Sequence, residues 1–357
     1  MKWAAIGYGF IGRRHVESLR GIDGWFVPAV ADTSAARLEE VQALHPETRV
    51  YATHSELLEK EDLDAVVISA PNRFHKEITI AAARAGKDIL LEKPAAMTVA
   101  EFDEIMTEVD KAGVRLTVHQ QRRFDKDFQT AKAVLDSGTI GDVYTIQSSL
   151  YGYNGNMHDW HVYKAEGGGM LYDWGVHLID QILYMVDGQL STVYAQLNNV
   201  INTEVDDYFK IQMRFANGIN AELELGTYFL SATKDWFNRH WFLGGSTGTM
   251  EAVKFEPEGQ IVRTTKLLEN VAGEQDKSAA SYGPTRSFGV PKEGLIVTEP
   301  LPAVTTEQSD YYINLKAAWD LGTEPILVTP EQVRRVLVVM EAVRESAATG
   351  RSVNVES

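Results

Sequence analysis

Three glycines near the start of the chain constrain its fold more than any other feature. Gly7, Gly9 and Gly12 have the spacing G-x-G-x-x-G, between a short apolar run, Trp3-Ala4-Ala5-Ile6, and a segment of helical pattern. At a strand-to-helix turn each glycine has a physical task. Gly7 permits the tight turn, Gly9 lets the backbone approach a ligand, and Gly12 lets helix and strand pack closely. The first helical turn, with Phe10 and Ile11 in it, presents unsatisfied N–H groups and the positive end of the helix dipole, which suits a pyrophosphate. Asp32 follows at the end of the next apolar run. A carboxylate there accepts hydrogen bonds from a ribose diol and repels a 2′-phosphate, so NAD is favoured over NADP. Arg37, about one helical turn further on, keeps NADP open.

The first part of the chain alternates short apolar runs with helical patterns. Strands are expected at 3–6, 26–31, 65–68, 89–91 and 115–118, with Pro28 an awkward member of the second because it cannot donate to a ladder. Strands so uniformly apolar suit a parallel sheet covered on both faces. Thr98 and Glu101 have capping-box spacing, and Val99, Phe102, Ile105, Met106 and Val109 share one helical face. Beyond about residue 123 the pattern changes. Phe209, Ile211, Met213 and Phe215 alternate with polar residues, Asn217-Gly218 reads as a two-residue hairpin turn, and Ile219 to Leu225 alternates again. Strands are also expected at 143–150 and 193–200, together forming an antiparallel sheet with one covered face. The stretch 269–302 reads as loop with a strand near 294–297. A last helix opens at Thr329-Pro330 with Gln332 completing its cap. The fold class is thus α/β: a Rossmann-type doubly wound domain over 1–122, then an α+β domain with a large open sheet over 123–357, whose final helix can return to the first domain.

Two clusters carry reactive groups. Glu92-Lys93-Pro94 closes the fourth strand, placing a lysine at the mouth of the sheet. Ser69-Ala70-Pro71-Asn72, followed by His75, closes the third, where ligands of open α/β sheets bind. The run Gly167-Gly168-Gly169-Met170-Leu171-Tyr172-Asp173-Trp174-Gly175-Val176-His177 puts Asp173 and His177 on one helical face. A histidine beside a carboxylate suits proton transfer near neutrality.

The glycine fingerprint, the Glu-Lys-Pro and the Gly-Gly-Gly-x-x-x-Asp-x-Gly-x-His run, in this order, resemble the family of glucose–fructose oxidoreductase and inositol dehydrogenase, over nearly the whole length. The resemblance implies Lys93, Asp173 and His177 as the catalytic set. His177 would take a hydroxyl proton as hydride leaves for the nicotinamide, with Lys93 on the same oxygen and Asp173 orienting the substrate. It implies cofactor contacts from Gly7, Gly9, Phe10, Ile11, Gly12, Asp32, Ala70, Pro71, Asn72, His75, Glu92, Lys93, Arg123 and Trp160. Substrate contacts are implied from Lys93, His158, Trp160, His161, Asp173 and His177. At His161 the family usually has arginine, so a salt-bridge role does not carry over. The implied substrate is a sugar, cyclitol or glycoside. The implied assembly is a homodimer or homotetramer through the second domain's sheet.

Composition narrows the partners. A net charge of −16 argues against nucleic acid. With no cysteine, disulfides, thiolate metal sites and thiol nucleophiles are excluded. No signal-peptide pattern and no membrane-length apolar run is present, so a cytoplasmic protein is expected. Three other readings stay open: a metal-dependent hydrolase or isomerase built on His158, His161, Asp173 and His177; a non-catalytic NAD-binding regulator; and an enzyme that uses tightly bound NAD transiently.

Overall fold

A computed structural model describes residues 1–153, 159–230, 235–264 and 294–355. Its first layer is the expected parallel sheet. The elements run β1 (Lys2–Ile6), α1 (Phe10–Arg20), β2 (Phe26–Ala31), α2 (Ala35–Leu44), β3 (Arg49–Tyr51), α3 (His54–Lys60), β4 (Ala65–Ile68), α4 (His75–Arg84), β5 (Asp88–Leu91), α5 (Val99–Ala112) and β6 (Leu116–Val118). The sheet order is β3-β2-β1-β4-β5-β6, all parallel. The order reverses at β1, between β2 and β4, so a crevice opens at the carboxyl ends of β1 and β4, where such sheets bind ligands. Residues 65–68 and 89–91 are fully buried, as double coverage requires. Thr98 caps α5 by accepting a hydrogen bond from the Glu101 N–H.

Pro28 is accommodated by an irregularity in the ladder. Lys2 pairs with Phe26 but Ala4 pairs with Ala29, so Val27 and Pro28 together oppose Trp3. Pairing with β3 starts only at Ala29. The missing donor therefore falls at a bulge on one side and before pairing begins on the other. β3 is a strand the sequence hid, three residues with one aliphatic side chain.

The second layer follows α6 (Lys126–Ser137). Its elements are β7 (Val143–Tyr151), α7 (Val176–Met185), β8 (Leu190–Asn198), β9 (Tyr208–Phe215), β10 (Asn220–Gly226), β11 (Asn238–Gly245), β12 (Gly248–Val253), β13 (Glu258–Thr264), β14 (Ile296–Pro300), α8 (Asp310–Lys316), α9 (Pro330–Thr349) and β15 (Val353–Asn354). Among the described residues the sheet has the order β14-β13-β12-β11-β7-β10-β9-β8-β15. The expectation of a purely antiparallel sheet needs correction: β10 pairs with β7 in parallel, Ala221 opposite Ile146. Between them the chain passes through α7 and the β8–β9 pair, and this long connection returns it in the same direction. Alternation along β9 and β10 survives because only one face is covered.

The hairpin between β9 and β10 also differs from expectation. Phe215 N–H donates to Ile219 O, Gly218 alone takes positive φ (92°), and the Asn217 side-chain oxygen accepts from Ile219 N–H. The loop has three residues rather than two. β14 lies slightly beyond the expected 294–297, and residues 265–293 of the expected loop lie outside the described residues.

The last helix begins at the expected box. Thr329 accepts from Gln332 N–H and the Gln332 side chain accepts from Thr329 N–H; Gly350 ends the helix with φ of 68°. α9 crosses β8 and reaches α5, where Glu341 Oε1 accepts from Val99 N–H (2.8 Å) and Arg334 pairs with Asp103 (2.7 Å). Among the described residues no helix is long and apolar enough to cross a membrane.

Arg123 locks this architecture. Its Nε and Nη2 hold the two oxygens of Asp180 on α7 at 2.7 and 2.6 Å, and its Nη1 donates to Leu327 O and to the Gln332 side chain. Both side chains are buried. Asp180→Ala should lower stability by about 3–5 kcal/mol, because a buried guanidinium loses its counter-charge. Chemical denaturation measures the change, and a midpoint within error of wild type would refute it.

Candidate active site

A cleft of about 1520 Å³ runs from the N-terminus of α1, past the ends of β4 and β5, to the segment that leads into α7. At one end lies the glycine turn. α1 starts directly after Gly9, which has no side chain to cap it, and a Cβ on Gly9 would meet nothing within 4 Å. The space beside the start of the helix is thus open. Gly12 is different: a Cβ there would lie 2.2 Å from Gly7 O, so this glycine serves helix–strand packing and does not line the cleft. Phe10 and Ile11 do line it.

Asp32 is buried at the end of β2. Its Oδ2 accepts from Tyr8 N–H (2.7 Å) and its Oδ1 from Ser34 N–H (2.8 Å), which fixes the carboxylate at the cleft edge. Arg37 reaches Oδ2 at 3.4 Å and also lines the cleft. An open helix N-terminus beside an anchored strand-end carboxylate fits a pyrophosphate and its ribose.

Ala70, Pro71, Asn72 and His75 all line the same cleft, but the polar pair is tied to the protein. Asn72 donates to Gly167 O at 2.9 Å, and the His75 ring nitrogens lie 2.8 Å from Pro94 O and from Ala70 O. These two residues brace the loops that form the wall. Asn72 draws the β4 loop onto the glycine run.

Lys93 and Asp173 meet although they come from different layers. Lys93 Nζ donates to Asp173 Oδ1 at 2.7 Å and to Asp173 O at 2.8 Å. Asp173 sits on a widened π turn (Leu171–Gly175) that runs into α7, a local distortion often found at functional sites. Its approach is possible because the preceding chain is glycine: a Cβ on Gly168 would lie 2.1 Å from His161 O. Burial pushes the Asp173 carboxyl up, but Lys93, His161 and Arg122 more than offset it and hold it below the ordinary carboxylate value.

His177 follows on the first turn of α7, buried yet lining the cleft. Its Nδ1 lies 2.9 Å from Gln120 Oε1. An amide oxygen only accepts, so Nδ1 carries the proton and Nε2 is left as a free base. Burial, reinforced by the charges of Lys93 and Arg122, holds the ring well below its usual pKa.

The far wall is aromatic. Trp160 and His161 stack on each other (centroids 3.8 Å apart) in a short turn, and Trp174 and Trp236 lie in tilted contact at 5.4 Å. Arg122 lies over Trp174 at 3.9 Å and pairs with Asp125 at 2.8 Å.

Two expected contacts change. Arg123 does not line the cleft; it faces the opposite way into its pair with Asp180, and its neighbour Arg122 lines the cleft instead. His158 lies outside the described residues. The sequence reading missed Gln120, Arg122 and Trp236 as site residues. Gln120 follows β6 closely, so its place at a strand's carboxyl end was a usable signal; Trp236 had none. Among the described residues, His161, Asp173 and His177 form no cluster with metal-ligand spacing.

Comparison with known proteins accords with this geometry. Residues 1–120 match the model of an oxidoreductase family with an NAD-binding Rossmann fold, and residues 128–251 match the GFO/IDH/MocA C-terminal domain. The chain belongs to the GFO/IDH/MocA oxidoreductase family. Within this family it is 26% identical to scyllo-inositol 2-dehydrogenase (NADP(+)) IolW of Bacillus subtilis, over 100% of this chain and 96% of that protein. It is 29% identical to a myo-inositol 2-dehydrogenase of Thermotoga maritima, over 61% of this chain and 66% of that protein. A solved NAD-binding protein from Listeria innocua superposes with a TM-score of 0.85 at 33% identity, over 99% of this chain and 96% of the other. The WlbA dehydrogenase of Bordetella pertussis, solved with NADH and UDP-GlcNAcA, shares the fold at a TM-score of 0.78 and 17% identity, over 100% of this chain and 98% of the other.

The second and third glycines of the fingerprint should respond differently to substitution. Gly9→Val should abolish NAD binding while leaving the thermal midpoint near wild type, because its side chain enters only the open cleft. Gly12→Val should lower both. Calorimetric NAD titration beside a thermal melt separates them, and a Gly9→Val protein that still binds NAD would show that the turn does not seat the cofactor.

Proposed function

We propose that this protein is a cytoplasmic NAD-dependent dehydrogenase that oxidises a secondary hydroxyl of a sugar, cyclitol or glycoside. The observation that carries the reading is the joining of Lys93 to Asp173, with the unprotonated Nε2 of His177 close by, in the cleft that also holds the glycine turn. The two curated relatives described above, both inositol dehydrogenases, support the substrate class.

The cofactor supplies the hydride acceptor; the chain's own groups handle the proton. His177 Nε2 accepts the hydroxyl proton, and Gln120, accepting from Nδ1–H, keeps the ring in the required tautomer. Lys93 donates to the substrate oxygen and steadies the negative charge that grows there as the proton leaves. Asp173 holds the ammonium in position and offers its carboxylate to a neighbouring hydroxyl. Trp160 and Trp236, which line the cleft, offer apolar faces against which a sugar ring can stack, with Trp174 packed behind Trp236 and under Arg122. Around Asp32, the anchored carboxylate favours an unphosphorylated ribose, and Arg37 beside it gives NADP a foothold.

Oligomer formation through the outer face of the nine-stranded sheet is part of the proposal. Tyr144 is exposed on that sheet (56%), and sedimentation analysis reads the assembly directly.

The proposal is tested by following NADH formation against a panel of cyclitols, sugars and glycosides; absence of turnover on every member would overturn it. Lys93→Ala and His177→Ala should each reduce turnover by about 10²–10⁴ without weakening NAD binding. Wild-type turnover in either would remove that residue from the mechanism. A pH profile gives an independent check. Because the folded protein holds His177 below its ordinary value, the ring remains a base as pH falls through the usual histidine range. kcat/KM for oxidation should therefore be flat there and decline only at lower pH. An acid limb at or above about 6.5 would contradict this assignment.

A further inference from the structure

The mechanism leaves one buried ionised group unused. Glu92, next to Lys93, lines the cleft although its side chain is almost wholly enclosed (8% exposed). Its Oε1 lies 2.9 Å from His15 Nε2 on α1 and 2.6 Å from His119 Nδ1 after β6; its Oε2 accepts from Lys93 N–H at 3.0 Å. A carboxylate only accepts, so both rings donate to it. His15 Nδ1 in turn lies 2.8 Å from the Tyr312 hydroxyl on α8. His119 Nε2 is buried with no hydrogen-bond partner, so a second proton there would leave an unsatisfied N–H. The two rings thus hold the carboxylate in its anionic form. The donor atoms lie within 4.8 Å of one another, but each ring nitrogen that faces Glu92 carries its hydrogen-bond proton and has no lone pair to offer an ion.

The two cations nearest it in the sequence and site already have acid partners. Lys93 is paired with Asp173, and Arg122 with Asp125. His75 and His177, the remaining titratable groups facing Glu92, are buried, and Tyr311 packs edge-on against His119. Among the described residues Glu92 has no lysine or arginine partner of its own; its ion-pair partners are the two histidines. A nicotinamide ring is positive when oxidised and neutral when reduced. A fixed anion in a poorly solvated wall acts on the first form and not on the second.

We propose that Glu92, held as an anion by His15 and His119, stabilises the oxidised over the reduced nicotinamide and so sets the redox preference of the bound cofactor. Glu92 is here a charge that tunes the cofactor, and it moves no proton. The inference rests on the assignment of NAD as cofactor and is independent of which sugar or cyclitol is oxidised.

The test is binding rather than turnover. NAD+, NADH and ADP-ribose are titrated calorimetrically into wild type and Glu92→Gln. The substitution should weaken NAD+ by about tenfold relative to NADH and leave ADP-ribose, which lacks the nicotinamide, unchanged. An unchanged ratio of the NAD+ and NADH affinities overturns the proposal, whether both fall together or neither moves. If the single variant does not fold, the double variant Glu92→Gln, His119→Phe removes the charge together with one of its donors, and it must show the same shift. A stoichiometric divalent metal in the purified protein would also overturn the proposal, because the ion would cancel the charge. Failure of wild type to bind either dinucleotide would overturn it together with the cofactor assignment, a result distinct from binding with an unchanged ratio.

Discussion

The contact between the Lys93 ammonium and Asp173 joins two regions eighty residues apart, one at the end of the parallel sheet and one on the turn into α7. The cleft that also holds the glycine turn and His177 is lined by both residues. Removing two charges from water is costly, and a part-buried pair is kept only where its geometry is good and its remaining valences are satisfied. Here the ammonium bonds both the carboxylate and the main-chain oxygen of the same residue. The lysine therefore senses the position of the turn itself as well as its side chain. His177, one turn on, inherits that position, and the positive charge of Lys93 helps keep its ring neutral.

Much of this was legible in the sequence because it depends on short-range rules. A glycine spacing after a strand, a carboxylate at the next strand end and a capping box each carry their own geometry. The parallel sheet followed from uniform burial, and β9 and β10 from strict alternation. What remained hidden depends on long-range pairing or on competition for partners. β3 has too few aliphatic residues to announce itself. The parallel pairing of β7 with β10 is set by the path through α7, which no local pattern reports. Arg123 and Arg122 are adjacent and chemically alike; only the place of Asp180 decides which one is drawn inward. Asn72 and His75, expected as cofactor contacts, line the cleft, yet their polar atoms are committed to main-chain partners that lie elsewhere in the sequence.

The layers are also tied together away from the cleft. Thr117 on β6 donates to Val328 O, just before α9, and Tyr311 on α8 donates to Val118 O. Tyr312 reaches His15 on α1. The segment between the second sheet and the last helix thus threads back along the first sheet and closes over the buried carboxylate at its centre. Through Tyr312 and His15 this segment is linked to Glu92.

The bulge at Pro28 has a further consequence. Side chains along a strand alternate between faces, so one extra residue reverses the phase of everything after it. Asp32 faces the cleft because β2 is longer by one residue than its partner requires. The orientation of the Asp32 carboxylate therefore answers to strand length as well as to residue identity: a deletion at Val27 or Pro28, outside the glycine motif, would turn it away from the cleft without altering a single residue of that motif.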